Sequence, residues 1–117
     1  MARHQQFRVW QHSRELVKLV CSSTCSRNSA GDLVSQLRRA AISVAKNIAE
    51  GAERGSDREF RRFLKIADGS NAEVQSLTAI AGDAGILSPT VVATILSHSA
   101  STGRQLGALL RAVSGTG

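Results

Sequence analysis

Four cations along two turns of predicted helix are the sequence's strongest chemical signal. Arg58, Arg61, Arg62 and Lys65 recur at i, i+3, i+4 and i+7, the spacing that gathers side chains on one helical face. Guanidinium groups in such an array suit planar, bidentate contact with phosphate or carboxylate. Phe60, Phe63, Leu64 and Ala67 follow the same spacing on the opposite face, so this helix packs on one side and presents cations on the other. Two smaller groups add to the stripe: Arg14 with Lys18, four residues apart, and the adjacent Arg38 and Arg39. Asp57, Glu59 and Asp68 flank the stripe and dilute its field.

Other chemistries find little support. His4, His12 and His98 are scattered, and none sits in an HExxH-like ligand spacing. No nucleophile elbow, phosphate-binding loop or dinucleotide fingerprint occurs. The Glu-x-x-His pairs that facing helices of di-iron bundles require are also missing. Glu50, Glu53, Asp57 and Glu59 cluster near one turn, where capping and ion pairing with Arg54 and Arg58 account for them. Asn47, Glu50 and Ser70 border apolar faces and are expected to hydrogen-bond between helices. Cys21 and Cys25, at i and i+4, are expected to be reduced packing side chains. No catalytic residue, metal ligand or cofactor is therefore expected, and the chain does not read as an enzyme.

The balance of charge agrees with a polyanionic partner. The 117 residues carry 15 Lys and Arg against 9 Asp and Glu, a formal charge of +6. Such a balance fits nucleic acid, an acidic protein partner or solubility alone. With one Trp, three Phe and no Tyr, stacking platforms for single-stranded bases are not expected. No run of apolar residues is long enough to span a bilayer, and the opening MARHQQFRVWQ lacks a signal-like apolar core. The expectation is a cytoplasmic protein of one domain, with no membrane partner.

Periodicity places these residues on four helices, at about 7–25, 32–50, 56–84 and 89–113, with no competing strand alternation. Val9, Trp10, Leu16, Val17 and Val20 line the first, with Ser13 and Thr24 between them. The second is apolar around more than half its circumference, and Gly51 is expected to end it. Ser56 with Glu59 forms a capping box that opens the third. Its core face is Phe60, Phe63, Leu64, Ala67, Val74 and Ala81. Gly85 reads as a left-handed stop, and Ser88-Pro89 as N-cap and first residue of the fourth. Val91, Ile95, Leu106, Leu109 and Val113 carry its stripe. The loop at 26–31 and the tail at 114–117 are polar. Short connections favour antiparallel neighbours, hence an all-α, up-down-up-down four-helix bundle. Val34, Arg38 and Ile42 extend the second helix beyond one core face, and Ile66, Gly69, Leu77 and Ile80 form a second strip on the third. Gly69 inside a helix costs about 1 kcal/mol, which a close backbone approach would offset. These residues are expected to form a contact between subunits.

SQLRRAAISVAKNIAEG, EFRRFLKIADGSNAEV and the opening FRVWQHSRELVKLV resemble the four helix bundle protein family. That family includes proteins encoded by intervening sequences of large-subunit ribosomal RNA genes. It also includes the accessory variability determinants of diversity-generating retroelements. The likeness rests on Gln36 to Ala40, Asn47 to Gly51, Phe63, Leu64, Ala67, Gly69, Ser70 and Glu73. The chain departs from the family's pattern at Ala45, where Pro is usual, and in lacking a Pro in its first loop. The resemblance implies a ring-shaped homopentamer. In the retroelement branch it further implies binding to nucleic acid and to a reverse transcriptase.

Two functions compete on these grounds. One is a non-enzymatic, homo-oligomeric protein that binds RNA or DNA through arginine-rich faces. The other is a protein-interaction scaffold whose arginines meet acidic partners or neighbouring subunits.

Overall fold

A computed structural model of the chain describes residues 3–25 and 31–113. Four helices make up these residues: α1 (Arg3–Thr24), α2 (Gly31–Ala52), α3 (Asp57–Asp83) and α4 (Pro89–Ala112). Each packs on two neighbours around a closed square, α1 on α2, α2 on α3, α3 on α4 and α4 on α1. The result is an antiparallel bundle of 46 × 21 × 18 Å, its long axis set by helices of up to about 40 Å. The expected loop at 26–31 and the expected fraying at 114–117 fall almost wholly outside the described residues.

Local chemistry sets three of the helix ends, both of α3 and the first of α4. The Ser56 hydroxyl accepts from the Glu59 amide at 3.1 Å, and Ser88 accepts from the Val91 amide at 3.2 Å. Each satisfies one of the orphan donors of a first turn. After α3, Gly85 adopts φ 74°, while the Gly85 amide bonds Gly82 and the Ile86 amide bonds Ala81. That pair of reversed bonds is a Schellman stop, which favours glycine at its left-handed position. Two ends differ from expectation. α1 begins at Arg3, four residues before the expected start at Phe7, because Arg and Gln are good helix formers without burial. Gly51 does not end α2: it is helical and buried. A Cβ there would lie 2.7 Å from the Phe63 Cβ and 2.9 Å from the Phe60 ring, so the missing side chain makes room for two aromatics of α3.

The core runs the length of the bundle on a repeat of alternating three and four residues. On α3 the seam is Phe60, Leu64, Ala67, Asn71, Val74, Thr78 and Ala81, with Phe63 and Leu77 buried beside it; on α4 it is Ile95, Ser99, Thr102, Leu106, Leu109 and Val113. A mean step of 3.5 residues is the signature of knobs-into-holes packing. Polar side chains occupy several of these positions, and most are satisfied at home. Ser13 donates to the Trp10 carbonyl, Thr24 to Val20 and Thr102 to His98. Asn71 and Ser99 satisfy each other between α3 and α4. Asn71 Nδ2 donates to the Ser99 carbonyl at 2.9 Å, and the Ser99 hydroxyl donates to Asn71 Oδ1 at 2.7 Å. Between α2 and α3, Ser43 and Ser70 share a 2.8 Å hydrogen bond, and Asn47 Nδ2 donates to Ser43. Ser70 thus fulfils its expected role, whereas Asn47 bonds within α2 and braces Ser43 instead of reaching α3 itself. Glu50 is exposed and takes no part.

Candidate nucleic-acid interface

The basic stripe of α3 does not remain one surface. Arg58 and Lys65 are exposed. Arg62 is drawn to Glu59, its Nε 3.1 Å from the carboxylate, and its guanidinium lies 4.6 Å from the centre of the Phe63 ring. Arg54 lies 4.8 Å from the same ring centre. The Glu59 carboxyl is held below its ordinary pKa, first by the hydrogen bond from Arg62, then by the charges of Arg62, Arg54 and Arg58; partial desolvation opposes them. Arg61 turns the other way. Its guanidinium donates to the Leu110 carbonyl and, at 3.5 Å, to the Val113 carbonyl. There it meets the orphan acceptors and partial negative charge at the end of α4.

Arg38 behaves like Arg61. Its Nε donates to the Thr24 hydroxyl at 2.8 Å and its Nη2 to the Thr24 carbonyl at 2.6 Å. It closes the end of α1 from α2. Both arginines were expected on a phosphate-facing surface, and in the fold their donors serve helix ends instead.

The other cations expected at this interface, Arg14, Lys18 and Arg39, lie on α1 and α2. Arg14 and Lys18 stand four residues apart on α1, and Arg39 and Lys46 seven apart on α2; all four are exposed. Arg14, Lys18 and Lys46 rim a groove between the helices, floored by Trp10, Val17, Ala45 and Ala49. The Arg14 guanidinium lies 4.8 Å from the Trp10 ring centre, which holds it over the groove. Among the described residues none of the four makes an ion pair; the ion-pair contacts there are Glu59–Arg62 and His12–Glu15. Lys46 is absent from the sequence-based set, although its spacing from Arg39 was a usable signal.

The histidines are less scattered than their numbers imply. His12 and His98, on α1 and α4, stack with ring centres 3.9 Å apart and planes within 9°. The His4 side chain lies outside the described residues. His98 Nε2 lies 2.9 Å from the His12 carbonyl. Burial lowers the His12 pKa from its ordinary 6.5, and the His98 ring lowers it further. A backbone hydrogen bond with His98 and the Glu15 charge act against this. Sequence spacing offered no sign of this pair, since 86 positions separate its members.

The expected subunit contact is redrawn. Val34 and Leu77 are 4% and 8% exposed, so the protomer's own core already covers them, and Arg38 is engaged within the chain. Ile42, Ile66 and Ile80 are 47%, 41% and 51% exposed. Gly69 is exposed, and a Cβ there would meet nothing within 4 Å, so the close approach expected of it does not occur within the protomer. Both cysteines are free, Cys25 exposed and Cys21 partly so.

Comparison with known proteins identifies the family and the fold. The family model of the 23S rRNA-intervening sequence protein matches residues 5–108. A crystal structure from Bacteroides thetaiotaomicron, a protein of unknown function from the S23 ribosomal protein family, has the same fold, with a TM-score of 0.86. The alignment covers 92% of this chain and 98% of that one, at 16% identity. Comparison with curated proteins gives no match. No helix among the described residues is long and apolar enough to cross a membrane.

Proposed function

Because the chain belongs to the 23S rRNA-intervening sequence protein family, we propose that it is a non-enzymatic, homo-oligomeric protein that binds nucleic acid through phosphate contacts. The observation that carries this reading is the set of exposed, unpaired cations Arg14, Lys18, Arg39 and Lys46 on α1 and α2. Arg58 and Lys65 extend it onto α3, with Arg62 partly held by Glu59. Side chains on rigid helices can follow a phosphate backbone without reading base edges. Binding to RNA or DNA duplex should therefore weaken steeply with salt, with a log–log slope near 0.9 per phosphate neutralised. Fluorescence anisotropy over a salt series measures that slope. Arg14→Glu with Lys18→Glu should reduce affinity roughly tenfold or more at low salt and flatten the slope. No binding by the wild-type chain at low salt would sink the proposal.

Self-association is part of the same reading. Exposed Ile42, Ile66 and Ile80 supply apolar contact area outside the protomer's core. A ring of subunits, such as the pentamer that the family resemblance implies, repeats a modest cationic face around one assembly. The competing scaffold reading draws on the same isoleucines. It predicts a captured protein partner whose retention survives nuclease treatment.

A further inference from the structure

We propose that His12, Glu15 and His98 form a site for a borderline divalent cation of the Zn2+ type, which clasps α1 to α4. One ligand atom from each of the three residues lies within 4.8 Å of the other two. His12 Nδ1 is 3.7 Å from the Glu15 carboxylate. Donors about 2.0–2.2 Å from a tetrahedral zinc sit only slightly closer together than this. The rings are parallel, so binding requires them to turn out of their stack until their in-plane lone pairs converge on one point.

The tautomer of His98 supports the assignment. Its Nε2 faces the His12 carbonyl at 2.9 Å, and a carbonyl can only accept. Nε2 therefore carries the proton, and in the neutral ring Nδ1 keeps its lone pair. A backbone carbonyl holding the far ring nitrogen is also the usual outer support of a metal-bound histidine. His12 Nε2 is buried without a hydrogen-bond partner, which leaves Nδ1, the atom facing Glu15, as the ring's functional edge. Two imidazoles and one carboxylate match the donor set that Zn2+ takes when a water fills its fourth position. Thr94, Ser97 and Ser101 line an open cleft beside the two rings, where such a water has access and hydroxyl partners. The ligands come from the two ends of the sequence, so the metal would fasten the edge of the bundle that no loop connects.

Titration calorimetry of the full chain with zinc chloride, paired with thermal unfolding, tests this. The wild type should bind one Zn2+ per chain and gain thermal stability with excess zinc, by mass action. Magnesium should do neither, because it prefers all-oxygen, octahedral sites. His98→Ala and Glu15→Gln should each weaken zinc binding by roughly tenfold or more, the scale on which even outer-sphere changes act. Glu15 is exposed, so Glu15→Gln decides the matter alone if His98→Ala fails to fold. Absence of stoichiometric zinc in the wild type would overturn the proposal. So would zinc binding undiminished in the folded variants, which would place the metal elsewhere on the chain.

Discussion

The Glu59 carboxylate accepts from Arg62 Nε at 3.1 Å and Nη2 at 3.4 Å, and this contact favours its ionised form. Its pKa in the fold lies below the ordinary 4.5, so the sign of the linkage is fixed. The stabilisation is present above pH 4.5 and is lost as pH falls through the lower, folded value. NMR titration should find the Glu59 carboxyl titrating below 4.5, and Arg62→Gln should move it back up. An unmoved titration would show that Arg54 and Arg58 dominate. The same scale explains why the stripe was misread. Arg61 stands three residues after Arg58, which turns it about 60° around the helix. That edge position is enough to reach α4, and no residue count reveals that α4 ends there. Arg38 was equally opaque, because its partner Thr24 lies 14 positions away across a loop.

Two helices end on a neighbour's arginine. α1 has no basic residue in its last turn, and Arg38 of α2 supplies one; α4 has its own Arg111 there, and Arg61 of α3 adds donors to its terminal carbonyls. A charged donor meeting otherwise orphaned carbonyls contributes about 1.5–3 kcal/mol. Arg61→Ala should lower unfolding free energy by about that amount and speed amide exchange in the last turn of α4. Arg58→Ala, on an exposed and unpaired side chain, should stay within about 0.5 kcal/mol of wild type. Equal effects from both would refute the capping role. Helix identity and most boundaries were legible, because Ser56, Gly85 and Ser88-Pro89 are local signals that tertiary packing did not overrule. The repeat within the helices was only half legible. Asn71, Thr78, Ser99 and Thr102 hold core positions, and a reading based on apolarity leaves gaps there. Leu77 was misassigned for a related reason: it sits beside the main seam of α3, close enough for the protomer to cover it.

At the scale of the molecule, the surface carries both of its remaining problems, an excess of positive charge and uncovered isoleucines. If subunits meet through the outer face of α3, Ile66→Asp with Ile80→Asp should dissociate the assembly without unfolding it. Sedimentation would then shift from a multiple of 12.4 kDa to a single chain; a wild type that already sediments as one chain would refute self-association. The double apolar character of α2 and α3 was visible in the sequence. Which of its residues stay outside was not, because Val34 and Ile42 differ only in the neighbours that the fold brings to them. The interior settles a further question. A seam that repeats every seven residues looks nearly the same after one helix slides by a heptad, about 10 Å. In such a shifted bundle Asn71 would stand level with Val92 or Leu106 instead of Ser99, and its amide would be buried unmet. An unmet buried amide costs about 1–3 kcal/mol. The Asn71–Ser99 pair therefore acts as a register key, which makes one alignment of α3 and α4 preferable to others that would bury similar apolar surface.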